Sequence, residues 1–251
     1  MDARFTGNGI TPGSKAWKLR DENPIAFQSL ADRWKELTAK TARYEFSAKK
    51  GKGEILLYGP IGFDFFGDGI TAKQFVKELR ALGEVKDIAL RIDSPGGSVT
   101  DAAAIYSNLR ETRARIRVHI DGMAASAASY IAMIGDDIEV GESSLVMIHN
   151  ARGGTYGTAA EMRKQADVLD KVSDQIASAY IARTGNDRKT VQAWMDDEKW
   201  FTGPEAMDAG FATELVENKG VTACLYPEAF AKMPSRVKPL IVEARKVLGA
   251  R

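Results

Sequence analysis

A chain of 251 residues, 44% of them hydrophobic and 27% charged, is long enough to bury a sizeable core and has an ordinary globular balance. Its 35 basic residues nearly cancel its 34 acidic ones, so the net charge of +1 gives no electrostatic reason to expect a nucleic-acid partner. A single cysteine, Cys224, excludes an intrachain disulfide, and neither a secretory signal nor a membrane-length apolar run is seen, so a soluble cytoplasmic protein is expected.

Residues 1–52 form a compositional block of their own, read as an N-terminal extension. Phe27, Leu30, Ala31, Trp34 and Leu37 fall at helical spacing and predict a short helix over 25–37. Lys49 to Gly53 reads as a linker. From residue 53 the pattern becomes α/β. Ile55–Tyr58 is a short apolar strand. Thr71 and Gln74 form a capping box ahead of Phe75, Val76, Leu79 and Leu82. Asp87–Ile92 alternates as a strand, a Pro-Gly-Gly turn follows over Ser94–Ser98, and Thr100–Thr112 is helical. Ile116, Val118 and Ile120 mark a strand that Gly122 ends, followed by a small-residue helix from Ala125 to Ile134. Strands at 138–140 and 145–148 precede a long helix from Thr158 to Arg183, with Met162, Leu169, Val172, Ile176 and Tyr180 on one face and Gly185 as its stop. Thr202, Pro204 and Glu205 open another helix, and Phe211–Val216 is the last strand. Alternating strands and helices imply βαβ units and a largely parallel sheet over residues 53–217. The tail, 218–251, carries Pro227, Pro234 and Pro239 and a short expected helix from Leu240, and is read as lying outside the catalytic core.

Three places carry chemistry. Gly122-Met-Ala-Ala-Ser126-Ala-Ala-Ser-Tyr130 puts a serine where a strand passes into a helix. Unsatisfied backbone N–H groups and the positive end of the helix dipole meet there, and both suit a developing oxyanion. Packing of small residues explains the same composition, and Ser129 is a rival one turn further in. A serine needs a neighbouring base. Of the two histidines, His149 follows the strand Leu145–Ile148, at a strand end where α/β folds place their chemistry, whereas His119 alternates with apolar neighbours inside a strand. The turn Asp93-Ser94-Pro95-Gly96-Gly97 exposes N–H groups, so Gly97 paired with Ala127 would make an oxyanion hole. It carries neither a P-loop nor a dinucleotide-binding signature.

Ile92-Asp-Ser-Pro-Gly-Gly97, Gly122-Met-Ala-Ala-Ser126, Val146-Met-Ile-His149 with its following Gly-Gly-x-x-Gly157, and Trp200-Phe-Thr-Gly-Pro-Glu-Ala-Met-Asp-Ala-Gly210 together resemble the Clp protease proteolytic subunit family. The resemblance implies the ClpP/crotonase fold, a spiral of βαβ units with a protruding handle helix, here 158–183. It implies a Ser-His-acid triad of Ser126, His149 and Glu198, with Asp197 as the alternate acid, and peptide pairing along Gly153, Gly154 and Thr155. It implies a homo-oligomer of stacked rings acting on polypeptides, with no metal and no cofactor. Residues 1–50 show no match to that family's pore loops, and Glu54–Gly62 with Trp200-Phe201 looks more like the related peptidases of tailed phages, which process capsid or scaffold proteins during head maturation. A housekeeping subunit working with an AAA+ unfoldase is the alternative. Other classes are a crotonase-like acyl-CoA enzyme and a non-catalytic ring. A signal-peptide peptidase with a Ser-Lys dyad is disfavoured by the histidine and by the lack of a membrane span.

Overall fold

Apolar residues recurring at every second position build the central sheet. In the strand Asp87–Ser94 the pattern is strict, with Ile88, Leu90, Ile92 and Ser94 buried and the residues between them only half-buried. The computed structural model describes residues 43–64 and 67–217. The helix expected over 25–37 and the one expected from Leu240 lie outside them.

Among the described residues, ten strands and six helices follow in order. They are β1 (Arg43–Lys49), β2 (Lys52–Tyr58), β3 (Phe63–Asp64), β4 (Gly67–Asp68), α1 (Ala72–Ala81), β5 (Asp87–Ser94), α2 (Val99–Glu111), β6 (Arg115–Ala125), α3 (Ala127–Ala132), β7 (Asp137–Gly141), β8 (Leu145–Ile148), α4 (Ala159–Thr184), α5 (Arg188–Asp196), β9 (Lys199–Thr202), α6 (Gly203–Asp208) and β10 (Glu214–Val216). Eight strands form one sheet in the order β1-β2-β5-β6-β7-β10, with β8 joined to β6 and β9 joined to β8. Contacts from β2 through β10 are parallel, as the βαβ pattern requires, and β1–β2 and β8–β9 are antiparallel. β3 and β4 make a separate small hairpin.

Local chemistry explains most boundaries. Thr71, Thr158 and Thr202 each cap a helix and each completes a capping box, with Gln74, Glu161 and Glu205. The core joins Ile55, Leu57, Phe75, Leu90, Ile105, Leu109, Val118, Ile131 and Phe211 into one apolar cluster. Only the C-terminal half of α4 enters it. Ile176, Ala177 and Tyr180 are buried there, whereas Met162 and Val168 are 47% and 44% exposed. At 1.5 Å per residue α4 is about 39 Å long, and its first half stands away from the body. Met162 therefore does not pack as the helical face predicts.

Four further expectations change. Lys49–Gly53 is no linker: β1 and β2 pair from Arg43↔Tyr58 to Lys49↔Lys52, closed by the two-residue turn Lys50-Gly51. Helix α2 begins at Val99, capped by Ser98. The last strand is shorter than Phe211–Val216, because Phe211 is buried in the turn that follows α6. Strand β6 does not end at Gly122. It runs on to Ala125 and changes partners, pairing with β5 and β7 up to Ile120 and with β8 from Met123 to Ala125.

Candidate active site

The change of partner in β6 sets the position of Ser126. Ile92 of β5 lies opposite Ile120, but Ser94 lies opposite Ala124, so β6 carries two extra residues in that interval. Asp93 fills the break in the ladder, its Oδ1 accepting from the Met123 N–H at 3.0 Å. Burial pushes the Asp93 carboxyl up to about 7, against that hydrogen bond and with a smaller push from Asp121. Beyond the break, β6 leans onto β8 and delivers its last residue to the sheet edge that also carries His149.

Ser126 is where the strand turns into α3. Its backbone sits at φ 55°, ψ −124°, a region that costs a non-glycine residue on the order of 1–3 kcal/mol and persists only when its surroundings hold it. A serine exposed on such a strand-to-helix turn is the arrangement that presents a hydroxyl to a substrate. Several groups hold it. The Ser126 N–H donates to the Met147 carbonyl at 2.9 Å, and the Ser126 carbonyl accepts from the N–H groups of Ser129 and Tyr130. Ser129, fully buried, adds its hydroxyl, 2.7 Å from the Ser126 carbonyl and 2.8 Å from both the Met147 carbonyl and the Tyr180 hydroxyl. Ser129, the rival candidate, is thus a support beneath Ser126.

The Pro-Gly-Gly turn presses on this elbow. A Cβ on Gly96 would lie 2.5 Å from the Ala125 carbonyl oxygen and 2.8 Å from the Ala127 nitrogen, and one on Gly97 would lie 2.2 Å from the Ile61 oxygen. With φ at 90° and 142° as well, both positions require glycine. Gly96 thus packs against the Ala125–Ala127 elbow, Gly97 next to it packs against Ile61, and Ala127 is the first residue of α3.

His149 follows β8, and its Nε2 lies 2.6 Å from Ser126 Oγ. Its Nδ1 is buried without a hydrogen-bond partner among the described residues. Burial, and then the Arg152 guanidinium, push the imidazole down to about 4, while Glu198 pulls the other way. The ring is therefore neutral near pH 7, the form in which it can accept a proton from Ser126. His119 lies elsewhere, on the sheet's outer face, with Nδ1 2.8 Å from Glu139.

The acidic run between α5 and β9 divides by orientation. Asp196 accepts from Asn150 at 2.7 Å and from Gln192 at 2.8 Å. Asp197 is exposed at the end of α5. Glu198 turns inward at φ 51°, its side chain 1% exposed, and pairs with Arg152. The structure thus brings Glu198 into the neighbourhood of His149 but gives its carboxylate to Arg152. Sequence reasoning assigned Arg152 no role; its only signal was its place three residues after His149. Gly153, Gly154 and Thr155 are exposed and belong to no helix or strand. The N-terminal side of that segment is tied down where the Ala151 N–H donates to Ser173 Oγ of α4 at 3.0 Å. No helix among the described residues is long and apolar enough to cross a membrane.

Comparison with known proteins converges on one family. A family model described as Clp protease matches residues 53–219. The ATP-dependent Clp protease proteolytic subunit 1 of Leifsonia xyli subsp. xyli is 32% identical over 169 residues, covering 66% of this chain and 85% of that protein.

Proposed function

The chain belongs to the Clp protease family and is a serine-type peptidase with the α/β fold of that family, and on that premise we propose that residues 53–217 form a peptidase domain whose nucleophile is Ser126 and whose base is His149. The observation that carries this reading is the 2.6 Å contact between Ser126 Oγ and a neutral His149 Nε2 at a strained elbow.

The proposed cycle follows from that geometry. His149 Nε2 takes the Ser126 proton as Oγ attacks the peptide carbonyl. The resulting oxyanion takes hydrogen bonds from the Gly97 and Ala127 N–H groups. The imidazolium then gives its proton to the leaving amine, and water, deprotonated in turn by His149, hydrolyses the acyl-enzyme. Glu198 serves as the acid that orients Nδ1–H. Gly153, Gly154 and Thr155 lie beside the site with their backbone exposed, and they would pair with an extended peptide as an added strand.

We further propose a cytoplasmic homo-oligomer of stacked rings, joined through the projecting half of α4, in which exposed Met162 and Val168 supply apolar contact. The finer biological reading is processing of capsid or scaffold proteins in phage head maturation. Its support is the resemblance of Glu54–Gly62 and Trp200-Phe201 to the related peptidases of tailed phages, beside a segment, residues 1–52, that precedes the family match. The alternative, general proteolysis with an AAA+ unfoldase, is separated from it by substrate range: limited cuts in a capsid or scaffold protein without ATP, against ATP-driven degradation of many unfolded chains. A fluorophosphonate probe should label the wild-type chain at Ser126 and leave a folded Ser126→Ala variant unlabelled and inactive. Equal labelling of the variant would refute the assignment.

A further inference from the structure

Two buried groups that a working triad would join are kept apart. His149 Nδ1 has no hydrogen-bond partner among the described residues, and Glu198, 1% exposed at its side chain, gives its carboxylate to Arg152. A carboxylate so far from water needs a cation or a donor set to remain ionised. Arg152 supplies the cation from the loop that carries His149, and it also places a positive charge beside the imidazole. That charge opposes the imidazolium that forms when Ser126 attacks. Of the other charged groups on the acidic run and β9, Asp196 is held by Asn150 and Gln192, Asp197 faces solvent and Lys199 lies over the Trp194 and Phe201 rings, while α4 contributes the neutral Ser173.

We propose that Arg152 is a positioning residue that holds Glu198 off His149 in the resting protein, so that the acid reaches Nδ1 only when the guanidinium lets go. This inference rests on the proposed triad. It adds a restraint that the triad itself does not require. Arg152 directly precedes Gly153, so a peptide seated along Gly153–Thr155 bears on its backbone and provides a route to release. With Arg152 neutralised, the Glu198 carboxylate loses its ion pair while His149 Nδ1–H still lacks a hydrogen-bond partner among the described residues, and the gain from joining them drives triad formation.

The test is the rate of Ser126 labelling by a fluorophosphonate between pH 4 and 9. The wild-type chain should lose reactivity only as pH falls toward about 4, where His149 takes up its proton. Arg152→Gln should move that acid limb up toward the ordinary imidazole value of 6.5 and raise the pH 7 rate severalfold, because a more basic, acid-oriented imidazole is the better general base. Arg152→Lys, which keeps the charge, should retain the wild-type profile. Arg152→Gln/Glu198→Gln should lose the gain. Should Arg152→Gln fold poorly, Arg152→Met repeats the test with a stem of similar reach. A limb that stays in place, a pH 7 rate that falls, a shift reproduced by Arg152→Lys or a gain that survives in the double variant overturns the proposal. Labelling that Ser126→Ala does not abolish overturns the triad reading instead, so the two failures are distinct.

Discussion

The buried Ser129–Tyr180 pair permits a prediction that turns on counting protons. Two hydroxyls and two carbonyls meet there: Ser129 Oγ touches the Ser126 and Met147 carbonyls and Tyr180 Oη. Carbonyls cannot donate, so the Ser129 proton goes to a carbonyl and Tyr180 must donate to Ser129. Tyr180→Phe then removes one donor and leaves Ser129 still able to donate, a loss of about 1 kcal/mol. The ring and its edge contact with Phe211, centroids 5.7 Å apart, survive the change. Ser129→Ala is worse, because it orphans the buried Tyr180 hydroxyl as well as losing its own bond, for about 2–3 kcal/mol. The carbonyls suffer little, since backbone N–H groups still reach both. In the double variant nothing is orphaned, so its cost should fall short of the sum by about 1–2 kcal/mol. Urea unfolding at fixed protein concentration, followed by far-UV circular dichroism, measures all four corners of the cycle. Turnover should fall more in Ser129→Ala than in Tyr180→Phe, because only the former removes the hydroxyl that bridges the Ser126 and Met147 carbonyls. Additive costs, or a Tyr180→Phe variant weaker than Ser129→Ala, would refute the assigned proton directions.

Two other outcomes follow from the geometry. His149→Ala should abolish peptide cleavage, whereas His119→Ala should retain most of it, because His119 pairs with Glu139 on the outer face of the sheet; kcat on a fluorogenic peptide measures both, and the reverse order would sink the choice of base. Asp93 binds its proton more tightly folded (about 7) than unfolded (3.8), so its contribution is full below pH 3.8 and is lost as pH rises through 7. The shift sets a ceiling of about 4 kcal/mol, and because the residue as a whole is only half-buried, the expected loss is nearer 1–3 kcal/mol. The stability difference between the wild-type chain and Asp93→Asn, which keeps the oxygen that accepts from Met123, should change by that amount between pH 4 and 8 in urea titrations. A constant difference would show that Asp93 titrates normally.

How much of this was legible in the sequence depended on the range of the interaction. Capping boxes at Thr71, Thr158 and Thr202 are written within four residues, and all three form. The period-two pattern of β5 is equally local. Strand β9 was missed because Lys199–Thr202 carries only four residues beside an acidic run, and what makes it a strand is its antiparallel pairing with β8. β1 was missed for the same reason, its evidence being the register with β2. Ser126 and His149 could be picked out because one serine stands at a helix start and one histidine at a strand end. Nothing local says that Ser129 and Tyr180, 51 residues apart, share a proton, or that Arg152 reaches Glu198.

The limits of local reading are sharpest in β6. Gly122 was a reasonable stop, since glycine weakens a strand, yet the chain passes through it and continues. The two extra residues opposite Ile92 and Ser94 release β6 from β7 at the point where Asp93 captures the Met123 N–H. Had β6 ended at Gly122, Ala125 would have no ladder partner, and Ser126 would lose its bond to the Met147 carbonyl. Instead β8 receives β6 over Met123–Ala125 and carries His149 two residues beyond Met147. The distance between Ser126 Oγ and His149 Nε2 is thus a consequence of strand register. The same pairing brings both residues to one edge of the sheet, and a buried carboxyl at Asp93 occupies the irregularity that makes the pairing possible.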